Sequence, residues 1–295
     1  MSCLHPLVAI RQGVISLDGT KKIKIFRRVD ESTDLENKYG RENILYLPCG
    51  HCAACQLKYR QDWSIRCEME AMMHDKSCMI TLTYDDQHLV DKPSKIELKK
   101  FLKSLRNRGI KTRFFACGER GSRTYRSHYH VILFGYLPDD IKYYGDSQSG
   151  EPMFSSKFLE SVWNKGIVRV SLFDKRVAAY VAGYVNKKVN TDNFLIMSSH
   201  PGLGFDYMDQ NINRLFKYQN YVGKNGRVYP LPRYFERVAD IHGYYLDDLK
   251  DSKKEMSDKL VDASLYQLNV GHQVELFPMQ SDKYKDKLSK LKRGF

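Results

Sequence analysis

The chain has no long hydrophobic run. Across its 295 residues, no stretch approaches the roughly 20 apolar residues that a membrane-spanning helix needs. The opening Met-Ser-Cys-Leu-His-Pro lacks the basic segment followed by an apolar one that is typical of a secretory signal. Internal repeats and low-complexity tracts are lacking too. These absences predict a soluble, cytosolic protein with one large domain or two small ones.

Acidic residues are in deficit. Lysine and arginine number 48 against 35 aspartate and glutamate residues, a net charge of +13, while a hydrophobic content of 42% excludes intrinsic disorder. The surplus predicts a polyanionic partner, above all nucleic acid, because each cation that neutralises a phosphate releases a counterion. An inert basic surface is the alternative. Residues 95–130 concentrate the surplus, with 11 basic and 2 acidic residues, whereas residues 240–265 are net acidic.

The seven cysteines are an odd number, which argues against a secreted disulfide framework. Three of them follow one another at two-residue gaps, as ligands of a tetrahedral zinc site do: Cys49, Cys52 and Cys55. We expect Cys3 to supply the fourth ligand, with His5 in reserve. Cys67 is too far away, since it lies about 18 Å beyond Cys55 along an unbroken helix. An iron–sulfur site and simple buried thiols are the alternatives.

The spacing of apolar residues predicts alternating strands and helices. The predicted elements are a hairpin of strands 7–17 and 22–28 around Asp18-Gly19, strand 44–47, helix 53–74, strand 79–84, a basic helix 94–108, strands 113–117 and 128–134, a polar loop 137–152, helix 155–163, strand 167–172, helix 174–189 and a helix after Pro232. This order is typical of an α+β fold with an antiparallel sheet.

His128 and His130 are separated by one residue in a predicted strand. Residues i and i+2 of a strand point to the same face, so the two imidazoles project together. Two adjacent imidazoles suit one divalent cation. Glu119 precedes them on a strand that can return its carboxylate beside the rings. Two surface histidines on an edge strand are the alternative.

Tyr180 and Tyr184 are four residues apart in a predicted helix. They lie about 40° apart, and Lys187 lies about 20° to the other side of Tyr180, so two phenols and an ammonium group share one face. A phenol with a pKa of about 10 is a poor nucleophile, but beside a cation and a metal-polarised phosphate it can attack phosphorus. Helix packing is the alternative. Gly183 costs the helix about 1 kcal/mol relative to Ala, which suggests close approach of another backbone or of DNA.

A strand with Thr81-Leu82-Thr83, then His-x-His, then a helix with Tyr-x-x-x-Tyr and trailing lysines resembles the rolling-circle replication initiators of the two-histidine (HUH) endonuclease superfamily. The chain most resembles the initiators of gokushovirus-type microviruses, small single-stranded DNA phages, over residues 3–235. Further landmarks of the resemblance are Pro48-Cys49-Gly50-His51-Cys52-Ala53-Ala54-Cys55, Trp63 with Arg66, Ala116-Cys117-Gly118-Glu119, Pro201-Gly202-Leu203-Gly204 and Leu231-Pro232-Arg233-Tyr234.

The resemblance implies a metal-dependent nickase and ligase. His128 and His130 would bind Mg²⁺ or Mn²⁺ with Glu119 as the third ligand. Tyr180 or Tyr184 would attack the scissile phosphate at the viral origin, leaving a 5′-phosphotyrosine and a free 3′-OH that primes the host polymerase. The second tyrosine would serve in rejoining the genome. The expected location is the cytoplasm of the bacterial host.

One departure concerns the assisting cation. Wider relatives often carry lysine immediately before the second tyrosine, where this chain has Gly183, so the role falls to Lys187 or Lys188. The basic segment would hold the DNA strand through three arginines: Arg120, Arg123 and Arg126. Tyr125 and Tyr129 would be available for base stacking.

Three regions follow: N-terminal strands, cysteine cluster and helix in residues 1–75, the HUH endonuclease core in residues 76–192, and a C-terminal extension with a basic tail in residues 193–295. Two other functions compete with the nickase. One is a non-enzymatic, zinc-containing nucleic-acid-binding protein in which His-x-His is incidental. The other is a transposase or relaxase of the same superfamily, although relaxases usually place the tyrosine upstream of the histidines.

Overall fold

A computed structural model describes residues 3, 6–15, 21–26, 37–40, 43–121, 125–147, 150–183, 192–224 and 226–241. The chain divides into two compact units, one containing the described residues up to Lys58 and the other those from Tyr59 onward. Several predicted features lie outside the described residues: the Asp18-Gly19 turn, Arg123, Tyr184, Lys187, Lys188 and the basic tail.

The first unit contains a small antiparallel sheet in the order β2-β1-β3. Its strands are β1 (Leu7–Ile15), β2 (Lys21–Phe26) and β3 (Ile44–Leu47), which confirms the predicted hairpin and the strand before the cysteines. Val8, Ile10 and Ile44 are buried against one another. Helix α1 (Ala53–Ala71) begins just after this sheet and crosses the division between the units.

The second unit is built on a seven-stranded antiparallel sheet, which confirms the predicted α+β class. In chain order its strands are β4 (Ser77–Tyr84), β5 (Arg113–Arg120), β6 (Ser127–Phe134), β7 (Lys142–Asp146), β8 (Pro152–Ser155), β9 (Gly166–Leu172) and β10 (Phe194–Met197). Their order across the sheet is β10-β5-β6-β4-β9-β8-β7.

Alternation along the strands gives this sheet two buried faces. Three helices of this unit are α2 (Lys95–Asn107), α3 (Lys157–Trp163) and α4 (Lys175–Gly183). On β6, Tyr129, Val131 and Leu133 pack with α2 and α3, on what we call the α2 face. Ile132 and Phe134 pack with α1 and α4, on the α4 face.

The predicted polar loop over residues 137–152 is wrong in part, because β7 lies within it and β8 begins at its end. Most side chains of β7 are exposed, including Tyr143 and Tyr144. A strand at the outer edge of a sheet with little to bury has no alternation of apolar and polar residues, so its sequence resembles a loop.

The chain after β10 folds onto α1. It forms α5 (Phe205–Gln210), α6 (Ile212–Tyr218), β11 (Asn220–Val222), β12 (Val228–Pro230) and α7 (Arg233–Ile241), the last of which is the helix predicted after Pro232. Ile65 and Met69 of α1 are buried against residues of these elements.

Several landmarks of the resemblance meet at one arginine. The Arg66 guanidinium lies 4.2 Å from the ring centre of Trp63 and 3.8 Å from that of Tyr234. Its Nε donates to the carbonyl of Leu203 at 3.2 Å. These residues therefore tie the C-terminal elements to α1, which is a structural role. No helix in the described ranges is long and apolar enough to cross a membrane.

Tyr129 belongs to the core. Its side chain is fully buried, so it is not available for the base stacking expected of it, whereas Tyr125 is 66% exposed. The Tyr129 hydroxyl accepts a hydrogen bond from the backbone N–H of Ser94 at 2.9 Å and pairs with the Tyr84 hydroxyl at 2.9 Å. Ser94 caps α2, so Tyr129 links the sheet to the start of that helix.

We predict that Tyr129→Phe lowers the free energy of unfolding by about 1–2 kcal/mol, because it leaves buried polar groups without a partner. The matched Tyr125→Phe should change it by less than about 0.5 kcal/mol. Denaturant titration measures both. Equal effects of the two substitutions would contradict the assignment of Tyr129 to the core.

Candidate active site

The β5–β6 hairpin brings together Glu119, His128 and His130. Glu119 lies directly opposite His128 in the antiparallel register, and Cys117 lies opposite His130. Both imidazoles and the carboxylate belong to the face of the hairpin that Tyr129 does not share. One ligand atom from each of the three residues lies within 4.8 Å of the others.

The carboxylate bridges the two rings. Glu119 Oε1 is 2.7 Å from His128 Nε2 and 3.3 Å from His130 Nε2. The Glu119 side chain is buried. Burial alone would raise the pKa of Glu119, but the hydrogen bonds and positive charge offered by His128 and His130 outweigh it and hold the pKa well below its usual range. The site therefore carries a fixed negative charge.

The outer nitrogens orient the two rings. His128 Nδ1 lies 3.1 Å from the Arg126 carbonyl oxygen. A carbonyl only accepts, so this nitrogen donates, and a neutral His128 turns the lone pair of Nε2 toward Glu119. His130 Nδ1 is 3.1 Å from the Thr81 hydroxyl, and Thr81 faces His130 across the β4–β6 pairing. Such outer contacts fix the orientation of metal-binding histidines.

Thr81 is a site residue that the sequence did not single out. The Thr-Leu-Thr segment reads as an ordinary central strand, and on either side of Thr81 the neighbours Ile80 and Leu82 are buried in the core. The signal was the alternation itself, since a hydroxyl between two core residues must face the opposite side of the sheet.

This donor set fits a divalent cation. Two imidazole nitrogens and one carboxylate oxygen converge, and three protein ligands leave coordination positions open for water or a phosphate oxygen. Imidazole ligands suit transition metals better than Mg²⁺, so within the expected pair the set favours Mn²⁺.

Helix α4 places Tyr180 beside this group. The ring centres of Tyr180 and His130 are 5.4 Å apart in an edge-to-face arrangement. Val177, Ala178 and Val181 are buried in the core of the α4 face, while the Tyr180 side chain is half-buried. The shared face predicted for Tyr184 and Lys187 falls outside the described residues.

A polar seam joins α1 to α4. Arg60, Ser64 and Glu68 are spaced by four residues and so line one side of α1. Arg60 Nη2 donates to the Gly183 carbonyl at 3.4 Å, and Ser64 Oγ donates to the Lys175 carbonyl at 3.0 Å. Glu68 and Lys175 form an ion pair at 2.6 Å. The seam thereby fixes where α4 lies along α1.

The seam also explains the glycine within α4. A Cβ on Gly183 would lie 2.5 Å from the guanidinium carbon of Arg60, whose side chain is only 4% exposed. The close approach expected at Gly183 is therefore that of a buried side chain rather than of a backbone or a DNA strand.

The predicted DNA-binding arginines flank the hairpin. Arg120 Nε donates to the Tyr125 carbonyl at 2.9 Å, at the turn of the hairpin. Arg126 forms an ion pair with Asp86, which offsets part of its charge. Arg123 lies outside the described residues.

The predicted cysteine group forms in the first unit. The four sulfur atoms, from Cys3, Cys49, Cys52 and Cys55, lie within 4.8 Å of one another. Backbone N–H groups point at them: that of Cys49 lies 3.3 Å from the Cys3 sulfur, and that of Cys52 lies 3.3 Å from the Cys49 sulfur. Such donors stabilise thiolates over thiols.

Cys67 is not a member of this group. It is fully buried in the core of the α4 face, and burial raises the pKa of its thiol. A thiol of this kind is inert.

Comparison with known proteins relates the chain to phage replication. Residues 77–189 match a family model that describes replication-associated proteins of the ORF2 type. The chain is 29% identical over 286 residues to replication-associated protein ORF2 of Spiroplasma virus 4, covering 88% of each chain. It is 31% identical to replication-associated protein VP4 of Bdellovibrio phage phiMH2K, over 64% of this chain and 66% of that protein.

A third relative is replication-associated protein ORF4 of Chlamydia phage 1, at 32% identity over 64% of this chain and 52% of that protein. The chain is a relative of the microvirus replication-associated proteins. The relationship supports a role in phage DNA replication. No solved structure matches the chain.

The family match encloses the site but not the cysteine group. Glu119, His128, His130 and Tyr180 lie inside residues 77–189, whereas the four clustered cysteines precede them. The histidine–carboxylate group and its tyrosine therefore belong to the part of the chain that the family model describes.

We predict that Gly183→Ala lowers the free energy of unfolding by about 1–3 kcal/mol, because the new methyl group collides with the buried Arg60 guanidinium. In an Arg60→Ala background the same change should be neutral or stabilising, since alanine is the better helix former by about 1 kcal/mol. A double-mutant cycle by denaturant titration measures the coupling. An equal penalty in both backgrounds would contradict the contact.

Proposed function

We propose that the chain is a rolling-circle replication initiator that nicks the single-stranded viral origin through tyrosine and later rejoins the genome. The observation that carries this proposal is the contact between Tyr180 and His130 at the edge of a converging carboxylate–imidazole group. A nucleophile beside a cation site is what phosphoryl transfer to a protein side chain requires.

The metal ligands in this proposal are Glu119, His128 and His130. Bound there, Mn²⁺ or Mg²⁺ supplies a Lewis acid that polarises the scissile phosphate. The Arg126 carbonyl and the Thr81 hydroxyl hold the two rings in place for this role. The buried carboxylate offsets the positive charge that the site must hold.

Tyr180 is the nucleophile of the described site. Its phenolic oxygen attacks phosphorus and loses its proton, and the bond from phosphorus to the 3′ oxygen breaks. The products are a 5′-phosphotyrosine and a strand whose 3′ oxygen takes up a proton. This 3′-OH primes the host polymerase in the cytoplasm. Attack of a 3′-OH on the phosphotyrosine reverses the step and rejoins the strand.

Tyr184 and the lysines complete the proposal. A second tyrosine lets the protein take a new 5′ end before it releases the old one, which suits recircularisation of a unit-length genome. Lys187 or Lys188 assists by favouring the phenolate. Arg120, which flanks the hairpin, contacts the strand through its phosphates together with Arg123 and Arg126.

The competing functions predict different chemistry. A non-enzymatic DNA-binding protein has no use for a nucleophile beside a cation site, and it forms no covalent link to DNA. A transposase would share the chemistry, but all three relatives are named for replication. The covalent adduct is therefore the decisive observation.

We predict that, with Mn²⁺ and an origin single strand, the protein forms a covalent adduct that survives a denaturing gel. Tyr180→Phe should reduce first-strand cleavage at least about a hundredfold, because it removes the attacking oxygen. His130→Ala should reduce it comparably. Tyr125→Phe, a change of the same kind on an exposed side chain, should leave cleavage within about twofold of wild type.

Two results would contradict this proposal. One is the absence of any adduct with the folded wild-type protein. The other is an adduct that persists at wild-type rate when both Tyr180 and Tyr184 are phenylalanine.

We further propose that Cys3, Cys49, Cys52 and Cys55 hold a structural Zn²⁺. Support comes from four converging sulfur atoms and from the backbone N–H groups directed at them. A closed set of four thiolates leaves no position for substrate, so its contribution is to folding. The metal would tie the N-terminal strand to the start of α1.

Metal analysis tests the zinc site separately. Wild-type protein should carry stoichiometric zinc, and Cys3→Ser should lose most of it together with thermal stability, because one of four ligands is gone. The matched Cys67→Ala should keep its zinc even though it opens a small cavity. Zinc-free wild-type protein of unchanged stability would rule the site out.

A further inference from the structure

Helix α2 has one buried side and one basic side. Leu98, Phe101, Leu102 and Leu105 are buried in the core of the α2 face. On the outer side the exposed charged residues are all cations, and four of them form what we call the α2 stripe: Lys95, Lys99, Lys103 and Arg106.

The stripe is narrow and continuous. At 100° per residue, Lys99, Lys103 and Arg106 lie about 40°, 80° and 20° around the helix from Lys95. From Lys95 to Arg106 the helix rises about 16 Å, the length of about five phosphate steps along one strand of duplex DNA.

No acidic residue offsets this stripe. Glu97 is the one carboxylate in the sequence of α2, and it forms ion pairs with Lys100 and Lys165. Within the part of the chain that the structure describes, none of the four stripe residues forms an ion pair. Four uncompensated cations in a row repel one another, which costs stability unless a polyanion binds there.

Other surface helices of the same unit mix their charges. Helix α3 carries Lys157 with Glu160 three residues later, and α7 carries Arg233 with Glu236 three residues later. Opposite charges at this spacing neutralise each other locally. The single sign of the α2 stripe is thus not a general feature of the surface of this unit.

The stripe and the candidate active site lie on opposite faces of the sheet. On β6, Tyr129 points into the core beneath α2, whereas His128 and His130 point to the opposite face, where His130 contacts Tyr180. A DNA segment that touches the stripe is therefore not the segment whose phosphate lies at the tyrosine.

We propose that the α2 stripe binds the phosphate backbone of a second DNA segment, one that flanks the strand being cut. The choice of DNA as the polyanion rests on the proposed function. Three of the four contacts are lysines, which act as point charges on phosphate and read no base pattern. The stripe thus adds affinity and holds the molecule on its DNA while the sequence is recognised elsewhere.

The test is a variant with four neutral changes: Lys95→Gln, Lys99→Gln, Lys103→Gln and Arg106→Gln. A matched control removes the same number of exposed charges from other helices of the unit: Lys157→Gln, Lys217→Gln, Arg233→Gln and Arg237→Gln. Both variants have the same net charge and keep their buried residues. Equal melting temperatures show that both are folded.

Binding to a long origin single strand is measured by fluorescence anisotropy over a range of salt, with a chelator present so that no cleavage occurs. The stripe variant should lose about 2.8 from the slope of log affinity against log salt, because each single-strand phosphate contact contributes about 0.7. The control should lose less than half of that. A duplex arm, at about 0.9 per contact, shows whether the second segment is single- or double-stranded.

A short strand that only fills the active site gives the second measurement. The stripe variant should cleave it within about twofold of wild type, since the four substitutions are surface changes away from the site. Unchanged salt dependence on long DNA, or an equal loss in the control, would overturn the proposal. Because the binding assay contains no metal, it decides this question even if the wild-type protein fails to nick.

Discussion

The register of the β5–β6 hairpin is the constraint on which the candidate site depends. It sets Glu119 opposite His128 and turns both imidazoles to the same face. A slip of one residue would send the rings into the apolar core and bring Tyr129 out. Apolar residues prevent that slip, because Tyr129, Val131 and Leu133 fill one core while Ile132 and Phe134 fill the other. The chemistry of the site is thus held by packing on both sides of the sheet.

The second constraint concerns the tyrosine helix. Apolar contacts press α4 onto the sheet but would allow it to slide, whereas buried polar contacts have one favourable position. Arg60 at Gly183 and Glu68 at Lys175 hold α4 at two points two helical turns apart. Apolar replacements could stabilise as much, so the value of a buried ion pair lies in specifying one arrangement. Here that arrangement places Tyr180 beside His130.

The sequence predicted what local patterns encode. The main strands and helices followed from their periodicity, and Glu119 could be paired with His128 and His130 because a hairpin joins them. The edge strand β7 was missed because it buries little, and β10 has only four residues. Thr81 lies 49 residues from His130, and Arg60 lies 123 residues from Gly183, so only the folded chain shows these contacts. Nor could net charge show that the basic segment divides between two faces of the sheet.

The central claim is that Tyr180 attacks DNA at a cation site formed by Glu119, His128 and His130. The most direct measurement is mass spectrometry of the protein after one round of reaction with Mn²⁺ and an origin strand, followed by nuclease and protease digestion. If Tyr180 is the nucleophile, the peptide that contains it carries a 5′-linked nucleotide, and Glu119→Gln reduces the yield of that peptide. A folded, DNA-bound protein that yields no nucleotide on Tyr180 would contradict the claim.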